Sequence, residues 1–212
     1  MLEILCLILG PVATNAYLLA DSETGEAAVI DPAWDGQIIL DEAKKRNWRI
    51  GGLWYTHAHF DHFGGAAAIA SRLVPQPAIA LHPKDHFLWQ MGGGGALFGF
   101  KIDKGPQPSV DLASSQTLEL GGLTFEVRHT PGHTPGHCAF YCASDGALFS
   151  GDLIFQGGVG RTDLPGGDWD TLVRSIREQV FPLPEATRIL SGHGPETTVG
   201  NEKSTNPFVG EI

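Results

Sequence analysis

The sequence predicts an α+β fold in which two β-sheets pack face to face and helices cover their outer sides. Short apolar segments bounded by Gly, Pro, Asp or Ser recur along the chain, as is typical of β-strands. Helical patterns are fewer, and they lie between clusters of strands rather than in strict alternation with them. No low-complexity linker divides the 212 residues, so we predict one domain that spans residues 1–212.

The strand pattern is clearest at Leu123–Val127, where apolar and polar residues alternate. This alternation places Leu123, Phe125 and Val127 on a buried face and turns the residues between them to solvent. Similar segments occur at Leu2–Leu9, Tyr17–Ala20, Ala27–Ile30, Gly52–Tyr55, Ala78–Leu81, Leu118–Leu120, Ala139–Cys142, Ala147–Phe149 and Arg188–Leu190. We expect each of them to form a strand.

Amphipathic or alanine-rich segments predict the main helices. They are Gln37–Arg46; Gly64–Leu73, which stops before Pro75; and Trp169–Gln179, which follows a predicted N-cap at Asp168. Residues 83–91 could form a further short helix.

The segment Gly92–Pro108 is a long stretch without a regular pattern. Its glycines neither follow a strand nor open a helix, so they match a phosphate-binding loop poorly. Loops of this length are usually functional or disordered. Leu97, Phe98 and Phe100 could form an apolar lip over a pocket, but we expect them to pack against the domain.

Composition excludes two classes of partner. The chain carries 14 Lys and Arg against 24 Asp and Glu, a formal net charge of −10, and it has no basic stripe that could neutralise phosphates. We therefore expect no nucleic-acid partner. The apolar start MLEILCLILG is short, contains Glu3 and lacks a basic residue, so it indicates a first strand rather than a signal peptide or a membrane span.

The cysteines indicate a reducing compartment. Cys6, Cys138 and Cys142 are an odd number of thiols in a chain of this length, which is not a disulfide framework. We predict a cytoplasmic protein in which Cys138 and Cys142 pack in the core.

The strongest functional signal is THAHFDH at residues 56–62, directly after the apolar run GGLWY. His57 and His59 point the same way while the chain stays extended, and Asp61 and His62 come from the next turn. Burying these polar groups without partners would cost about 1–3 kcal/mol each. The pattern predicts a metal site in which two pairs of ligands face two neighbouring points.

Three further residues follow apolar runs in the same way: His133, Asp152 and His193. The segment HTPGHTPGH around His133 contains Pro and Gly in both gaps, so it is a loop rather than a helix. Strand ends that deliver His or Asp are how a site assembled from distant parts of a chain would look. Because a carboxylate can bridge two cations, Asp152 is the natural shared ligand of a dinuclear site.

These motifs resemble a known family. THAHFDH, TPGHT, SGD and SGHG, in this order, resemble the metallo-β-lactamase superfamily, and the likeness extends from the first strand to residue 208. GDLIFQGGVGRTDLPGGD and NEKSTNPF are similar to small bacterial hydrolases of the glyoxalase II-like branch. The resemblance implies an αββα sandwich of two mixed β-sheets flanked by helices.

The resemblance also implies a set of metal ligands. The first ion would take His57, His59 and His133; the second would take Asp61, His62 and His193; Asp152 would bridge them. Asp61 would in addition help to position the attacking hydroxide, which makes it the candidate catalytic residue. Two divalent ions are expected, with zinc as the first choice and iron or manganese as alternatives.

Other polar residues near these motifs are interpreted either as structural residues or as residues next to the metal site. His129, His82 and His86 are interpreted as structural. His137 could line the site, but a hydrogen-bonded histidine at the start of a strand is the favoured interpretation. Asp31 is either a hydrogen-bond partner of a metal-binding histidine or an ordinary turn residue before proline.

Three charged residues lie in the glyoxalase II-like motifs. Arg161 and Asp163 could form a charged pair that pins the loop after Asp152. Lys203 could meet a carboxylate of the substrate, although a surface lysine is the default. The longer glyoxalase II enzymes carry a C-terminal helical region that recognises glutathione, and in this chain, which ends at residue 212, we expect that route to be absent.

The leading functional hypothesis is a hydrolase that cleaves a thioester such as S-D-lactoylglutathione, or a related small-molecule acyl-thiol, through a metal-bound hydroxide. The alternative from another class is an iron persulfide dioxygenase with one ion on His57, His133 and Asp152. Lactone or β-lactam hydrolysis would use the same site. A protein that only binds metal ranks lowest, because a structural zinc site is closed by four ligands. The sequence leaves the oligomeric state open.

Overall fold

Two β-sheets face each other in the computed structural model, which describes residues 1–210. The end of the predicted domain, residues 211 and 212, lies outside the described residues. Within residues 1–210 the first sheet has the order β1-β2-β3-β4-β5-β6. Its strands are β1 (Leu2–Leu9), β2 (Thr14–Asp21), β3 (Glu26–Ile30), β4 (Arg49–Trp54), β5 (Ala78–Leu81) and β6 (Val110–Asp111).

The second sheet has the order β14-β13-β10-β9-β8-β7. Its strands are β7 (Thr117–Leu120), β8 (Leu123–His129), β9 (Cys138–Cys142), β10 (Ala147–Gly151), β13 (Arg188–Ser191) and β14 (Thr197–Thr198). Two short strands, β11 (Ile154–Phe155) and β12 (Gly158–Val159), form a separate antiparallel ribbon. Both large sheets mix parallel and antiparallel pairs, as predicted.

The helices are short and lie between the strands. They are α1 (Gly36–Arg46), α2 (Phe60–Phe63), α3 (Ala66–Ala70), α4 (His86–Gln90), α5 (Trp169–Ser175) and α6 (Val199–Thr205). Turns of 3-10 helix occur at Pro83–Asp85, Gly92–Phe98 and Ala143–Asp145, and a π-helical turn at Ile176–Val180 follows α5. No helix among the described residues is long and apolar enough to span a membrane.

Alternating side chains of the strands build three layers of core. In β9, Phe140 packs between the sheets, whereas the next residue, Tyr141, packs under α5 and the π-helical turn. In β2, Leu19 lies between the sheets and Leu18 packs under the helices of the other side. The αββα sandwich predicted from the sequence is thereby confirmed. Cys138 and Cys142 are buried free thiols of the inter-sheet core, as expected.

The direction of the strands decides where the site forms. Strands β3, β4 and β5 are parallel to one another, so their carboxyl ends meet at one edge of the first sheet. In the second sheet β10 is parallel to β13, and β8 runs the same way because both β8 and β10 are antiparallel to β9. The residues that follow these strands include all the predicted metal ligands.

The structure corrects two predicted helices. The helix predicted at Gly64–Leu73 is shortened to α3 (Ala66–Ala70), and α2 (Phe60–Phe63) precedes it. Between the two, Gly64 and Gly65 lie against the backbone carbonyls of Ala33 and Pro32, where a Cβ atom would clash. Asp168 caps α5 as predicted by accepting a hydrogen bond from the Thr171 amide (2.8 Å), but α-helical geometry ends at Ser175 rather than Gln179.

Replacing Phe125 by Ala should destabilise the protein by about 3–5 kcal/mol, because it removes a large side chain from the inter-sheet core. Phe125 is fully buried and packs edge-on against Trp54, with ring centroids 5.2 Å apart. Urea unfolding measures the change. The matched control is Phe87→Ala, which truncates a phenylalanine that is 72% exposed and should change stability by less than about 0.5 kcal/mol. Equal losses in both variants would contradict the assignment of the core.

Candidate metal centre

Three imidazole nitrogens converge at the end of the sandwich. His57 Nε2 lies 3.1 Å from His59 Nδ1, which lies 2.8 Å from His133 Nε2, and the third side of the triangle is 3.2 Å. A tetrahedral zinc ion with Zn–N bonds of about 2.0–2.1 Å would have ligand atoms about 3.3 Å apart. The triangle therefore has the size of one face of a metal site.

A second group lies beside the first. Asp61 Oδ2 is 3.3 Å from His62 Nε2 and 3.3 Å from His193 Nε2. Asp152 faces both groups, because its Oδ2 is 3.6 Å from His133 Nε2 and 3.6 Å from His193 Nε2. Its Oδ1 is 3.5 Å from His62 Nε2. The structure thus brings all seven predicted residues together, with Asp152 between the two groups.

The donor set fits a metal ion. His62 Nε2 and Asp152 Oδ1 are buried and have no hydrogen-bond partner among the described residues. Leaving such atoms unpaired would cost about 1–3 kcal/mol each, and more where they are charged. A cation between them would satisfy both. The combination of imidazole nitrogens and carboxylate oxygens is suited to zinc and to other divalent metals, so the cluster can bind metal.

Asp31 orients two of the histidines. Its Oδ2 accepts hydrogen bonds from His62 Nδ1 (2.9 Å) and from the Thr56 hydroxyl (2.7 Å). Because the Thr56 hydroxyl hydrogen is used in this way, its oxygen accepts from His57 Nδ1 at 3.0 Å. Both rings are therefore oriented with Nε2 toward the cluster. Of the two sequence readings of Asp31, the structure shows the hydrogen-bonding one.

His133 is oriented by the loop that follows Asp152. Its Nδ1 donates to the Arg161 carbonyl at 2.7 Å, which leaves Nε2 as the acceptor in the cluster. The Arg161 side chain forms two 2.7 Å bonds to Asp163, so this pair exists as expected. The backbone carbonyl of Arg161, rather than its side chain, therefore contacts the cluster through His133.

His137 is a buried, hydrogen-bonded residue directly before β9. Its Nε2 accepts from the Asp152 amide at 3.1 Å, and its Nδ1 therefore donates to the Thr130 hydroxyl at 2.9 Å. His137 thereby holds the backbone of the residue that faces both groups.

Two further residues of the site were not found from the sequence. Buried Asp85 accepts from the Thr134 hydroxyl (2.7 Å), the Gly136 amide (2.6 Å) and the Ala58 amide (3.1 Å), and so ties the two histidine loops together. Its position after β5, at the same edge as the predicted ligands, was the available signal. Thr14 donates to Asp61 Oδ2 at 2.8 Å, and a threonine at the start of a strand gives no signal of that role.

Electrostatics favours neutral imidazoles at His57 and His59 and ionised carboxylates at Asp61 and Asp152, which are the protonation states that metals require, whereas at His62 a cation would have to replace a proton. Burial, together with neighbouring histidines, lowers the pKa of His57 far below its ordinary value and lowers that of His59 to about 3. Burial raises the pKa of Asp61 and of Asp152, but their histidine neighbours outweigh it, so both carboxyl groups have pKa values below the ordinary one. For His62, burial lowers the pKa, and the surrounding carboxylates raise it well above its ordinary value.

The remaining candidate histidines stand apart from the cluster. His82 and His129 stack in parallel with ring centroids 4.2 Å apart, and His129 Nε2 lies 3.0 Å from the Pro135 carbonyl oxygen. His86 Nε2 lies 3.3 Å from an Asp111 carboxylate oxygen.

A cavity of about 470 Å³ opens beside the cluster. Leu97, Phe98 and Phe100 line it, so the apolar lip is present, and the expectation that all three pack against the domain is wrong. Leu97 and Phe98 are exposed, because the turn at Gly92–Phe98 directs them outward. Phe100 packs inward on Phe60 and Trp34, with ring centroids 5.3 Å and 5.7 Å apart, and Phe98 contacts Phe60 as well. Lys203, in α6, does not line this cavity.

Comparison with known proteins places this geometry in a family. Residues 9–193 match the family model described as the metallo-beta-lactamase superfamily. The chain is 34% identical to the hydroxyacylglutathione hydrolase GloC of Haemophilus influenzae, over 92% of each protein. It resembles the crystal structure of the B3 metallo-beta-lactamase BLEG-1, with a TM-score of 0.91, 38% identity and 99% of each chain covered. The protein TTHA1623 in a di-iron-bound form gives a TM-score of 0.87, with 39% identity over 96% of this chain and 99% of that one.

Replacing Asp31 by Asn should weaken metal binding about 10–100-fold, because an amide is a poorer partner for two histidine-orienting hydrogen bonds. Asn tolerates the left-handed conformation of this position (φ 50°), so the fold should persist. Competition with a chelator measures the affinity. Asp35→Asn is the control: Asp35 is exposed, shares the left-handed conformation (φ 46°) and lies outside the cluster. Unchanged affinity in Asp31→Asn would contradict the role of Asp31.

Metal-free protein should lose stability as the pH falls from about 6.5 to 5. His57 and His137 have pKa values well below their unfolded value of about 6.5. These two histidines therefore bind protons in the unfolded chain over this pH range but not in the folded protein. His62 and His193, whose pKa values are raised, add a little stability over this range because the unfolded histidines are only about half protonated at pH 6.5, and this offsets a small part of the loss. Urea unfolding after chelation, at both pH values, measures the slope. A midpoint that does not fall on acidification would contradict the neutral buried imidazoles.

Proposed function

Because the chain belongs to the metallo-β-lactamase superfamily and is a metallo-hydrolase, we propose that it hydrolyses the thioester of a small acyl-thiol. The observation that carries the proposal is a buried cluster in which His62 Nε2 and Asp152 Oδ1 have no hydrogen-bond partner and of which Asp152 and other members line an open cavity. The cluster contains no serine or cysteine nucleophile, so its own groups are suited to holding cations and water.

We propose two divalent ions in this cluster, with zinc as the expected metal. His57, His59 and His133 would hold the first ion, and Asp61, His62 and His193 the second. Asp152, which faces both groups, would bridge them. Ions held there would supply a Lewis acid and lower the pKa of a bound water from 15.7 to about 7.

The residues of the chain would then prepare the reaction. Asp61, held by the Thr14 hydroxyl, would accept a hydrogen bond from the attacking water and fix its direction. Asp31 and the Arg161 carbonyl accept hydrogen bonds from Nδ1 of His62 and His133 and so keep Nε2 of both rings directed at the cluster. Hydrolysis breaks the C–S bond and forms a C–O bond with the oxygen of water. The products are a carboxylate and a thiol, with one proton released.

The similarity to GloC supports a thioester as the substrate, and S-D-lactoylglutathione is accordingly the first to test. The similarity to BLEG-1 favours a second candidate, β-lactam hydrolysis, which would use the same cluster against a strained amide. The three free cysteines favour a cytoplasmic location, where thiols stay reduced.

Protein purified without added metal should contain two metal ions per chain and cleave S-D-lactoylglutathione. His62→Ala should lower kcat/KM at least about 100-fold, because it removes a proposed ligand and one of the hydrogen bonds that Asp31 accepts. Elemental analysis and thiol release measure the two quantities. His86→Ala is the matched control, since His86 lies outside the cluster and should leave both unchanged.

Two other results would contradict this proposal. One iron per chain, oxygen consumption with glutathione persulfide and no thioester cleavage would identify a persulfide dioxygenase instead. Cleavage of a β-lactam such as nitrocefin without any thiol release from thioesters would favour the second candidate.

A further inference from the structure

We propose that the cavity beside the cluster is an acyl-chain subsite, so that the enzyme prefers thioesters of extended apolar acyl groups over the short, polar lactoyl group. This inference rests on the proposed thioester hydrolysis and specifies the part of the substrate that the protein selects. His59, Asp61, Asp152 and His193 lie in the wall of the cavity of about 470 Å³. A thioester whose carbonyl carbon reacts at the cluster therefore places one of the substituents of that carbon inside the cavity.

The wall away from the cluster is strongly apolar. It is formed by side chains from α2, α4 and the segment that follows: Phe60, Phe87, Met91, Leu97, Phe98 and Phe100. Several of them are unusually exposed for large apolar residues, with exposed fractions of 72% for Phe87, 62% for Met91, 73% for Leu97 and 49% for Phe98. A contiguous exposed apolar surface at the mouth of a cavity marks a place where a ligand binds.

This wall is built into the fold. Gly93 has a φ of 64° and packs so closely on the backbone of Ala58 and Phe60 that a Cβ atom would lie 2.3 Å from the Phe60 amide nitrogen. Phe60 in turn contacts Phe98 and Phe100, with ring centroids 5.6 Å and 5.3 Å apart. The loop that carries the histidines thus holds the apolar wall in a fixed position beside them.

Charge disfavours glutathione as the part of the substrate that fills this cavity. Of the described residues that line the cavity, Arg161 is the only lysine or arginine. Both of its side-chain hydrogen bonds go to Asp163. Glutathione carries two carboxylates, which a recognition site would pair with cations. An acyl chain needs no cation for recognition, and its apolar groups displace water from the side chains of Leu97 and Phe98.

The preference should grow with chain length. Each CH₂ group that is fully removed from water favours binding by about fourfold. Since the wall is partly open to solvent, we expect at least a tenfold rise in kcat/KM from acetyl to octanoyl thioesters of one thiol, N-acetylcysteamine. Octanoyl-N-acetylcysteamine should also be cleaved faster than S-D-lactoylglutathione.

Two variants test whether the apolar wall causes the preference for long acyl chains. Leu97→Ser and Phe98→Ser should each lower the octanoyl-to-acetyl ratio of kcat/KM at least threefold, and the double variant at least tenfold. Because both side chains are exposed, thermal unfolding should change little. Phe208→Ser is the matched control: this phenylalanine is 56% exposed and does not line the cavity, so the ratio should stay at its original value.

A binding measurement separates this inference from the proposed activity. Titration calorimetry of the metal-loaded protein should show octanoate binding at least tenfold more tightly than acetate, with the difference lost in the double variant. If no thioester is cleaved but this difference is found, the proposed function fails and the apolar subsite stands. If thioesters are cleaved at rates independent of chain length, the subsite is overturned and the hydrolase stands. A dimer that dissociates in the double variant, with a flat chain-length profile, would overturn it in favour of a contact between copies.

Discussion

The structure depends on one constraint, which is that a set of carboxylates and imidazoles is held out of water where two sheets meet. Asp152 stands at its centre, 3.6 Å from a histidine nitrogen of each group and with one oxygen unpartnered. Such a group is stable in a folded protein only when its charge and lone pairs are satisfied. Bound cations would provide that, and parallel strands that end at a common edge bring the candidate ligands together.

Around the cluster, hydrogen bonds orient His57, His62 and His133 through their Nδ1 atoms and join the loops that carry the cluster. Asp31 holds the loop after β4, Asp85 joins that loop to the loop after β8, and His137 holds the backbone of Asp152. The loop after Asp152 is joined to His133 through the Arg161 carbonyl. The site is therefore preorganised by backbone atoms and buried polar residues of both sheets.

Much of this arrangement was readable from the sequence, because ligand-type residues followed apolar runs and the main strands had clear periodicity. What was missed has physical reasons. Two-residue strands such as Thr197–Thr198 are too short for a period, and α6 depends on tertiary contacts of buried Glu202, which accepts from Thr197 and Asn206. Asp85 acts on groups distant in sequence, so its role needs the fold. The outward direction of Leu97 and Phe98 follows from glycines with positive φ, whose handedness composition does not show.

Anomalous diffraction from crystals of the zinc-loaded protein tests directly whether the cluster holds two ions. We expect two zinc peaks about 3.5–4 Å apart, one among His57, His59 and His133 and the other among Asp61, His62 and His193, with Asp152 in contact with both. A single fully occupied peak, or a second ion that lies away from Asp152, would contradict this expectation.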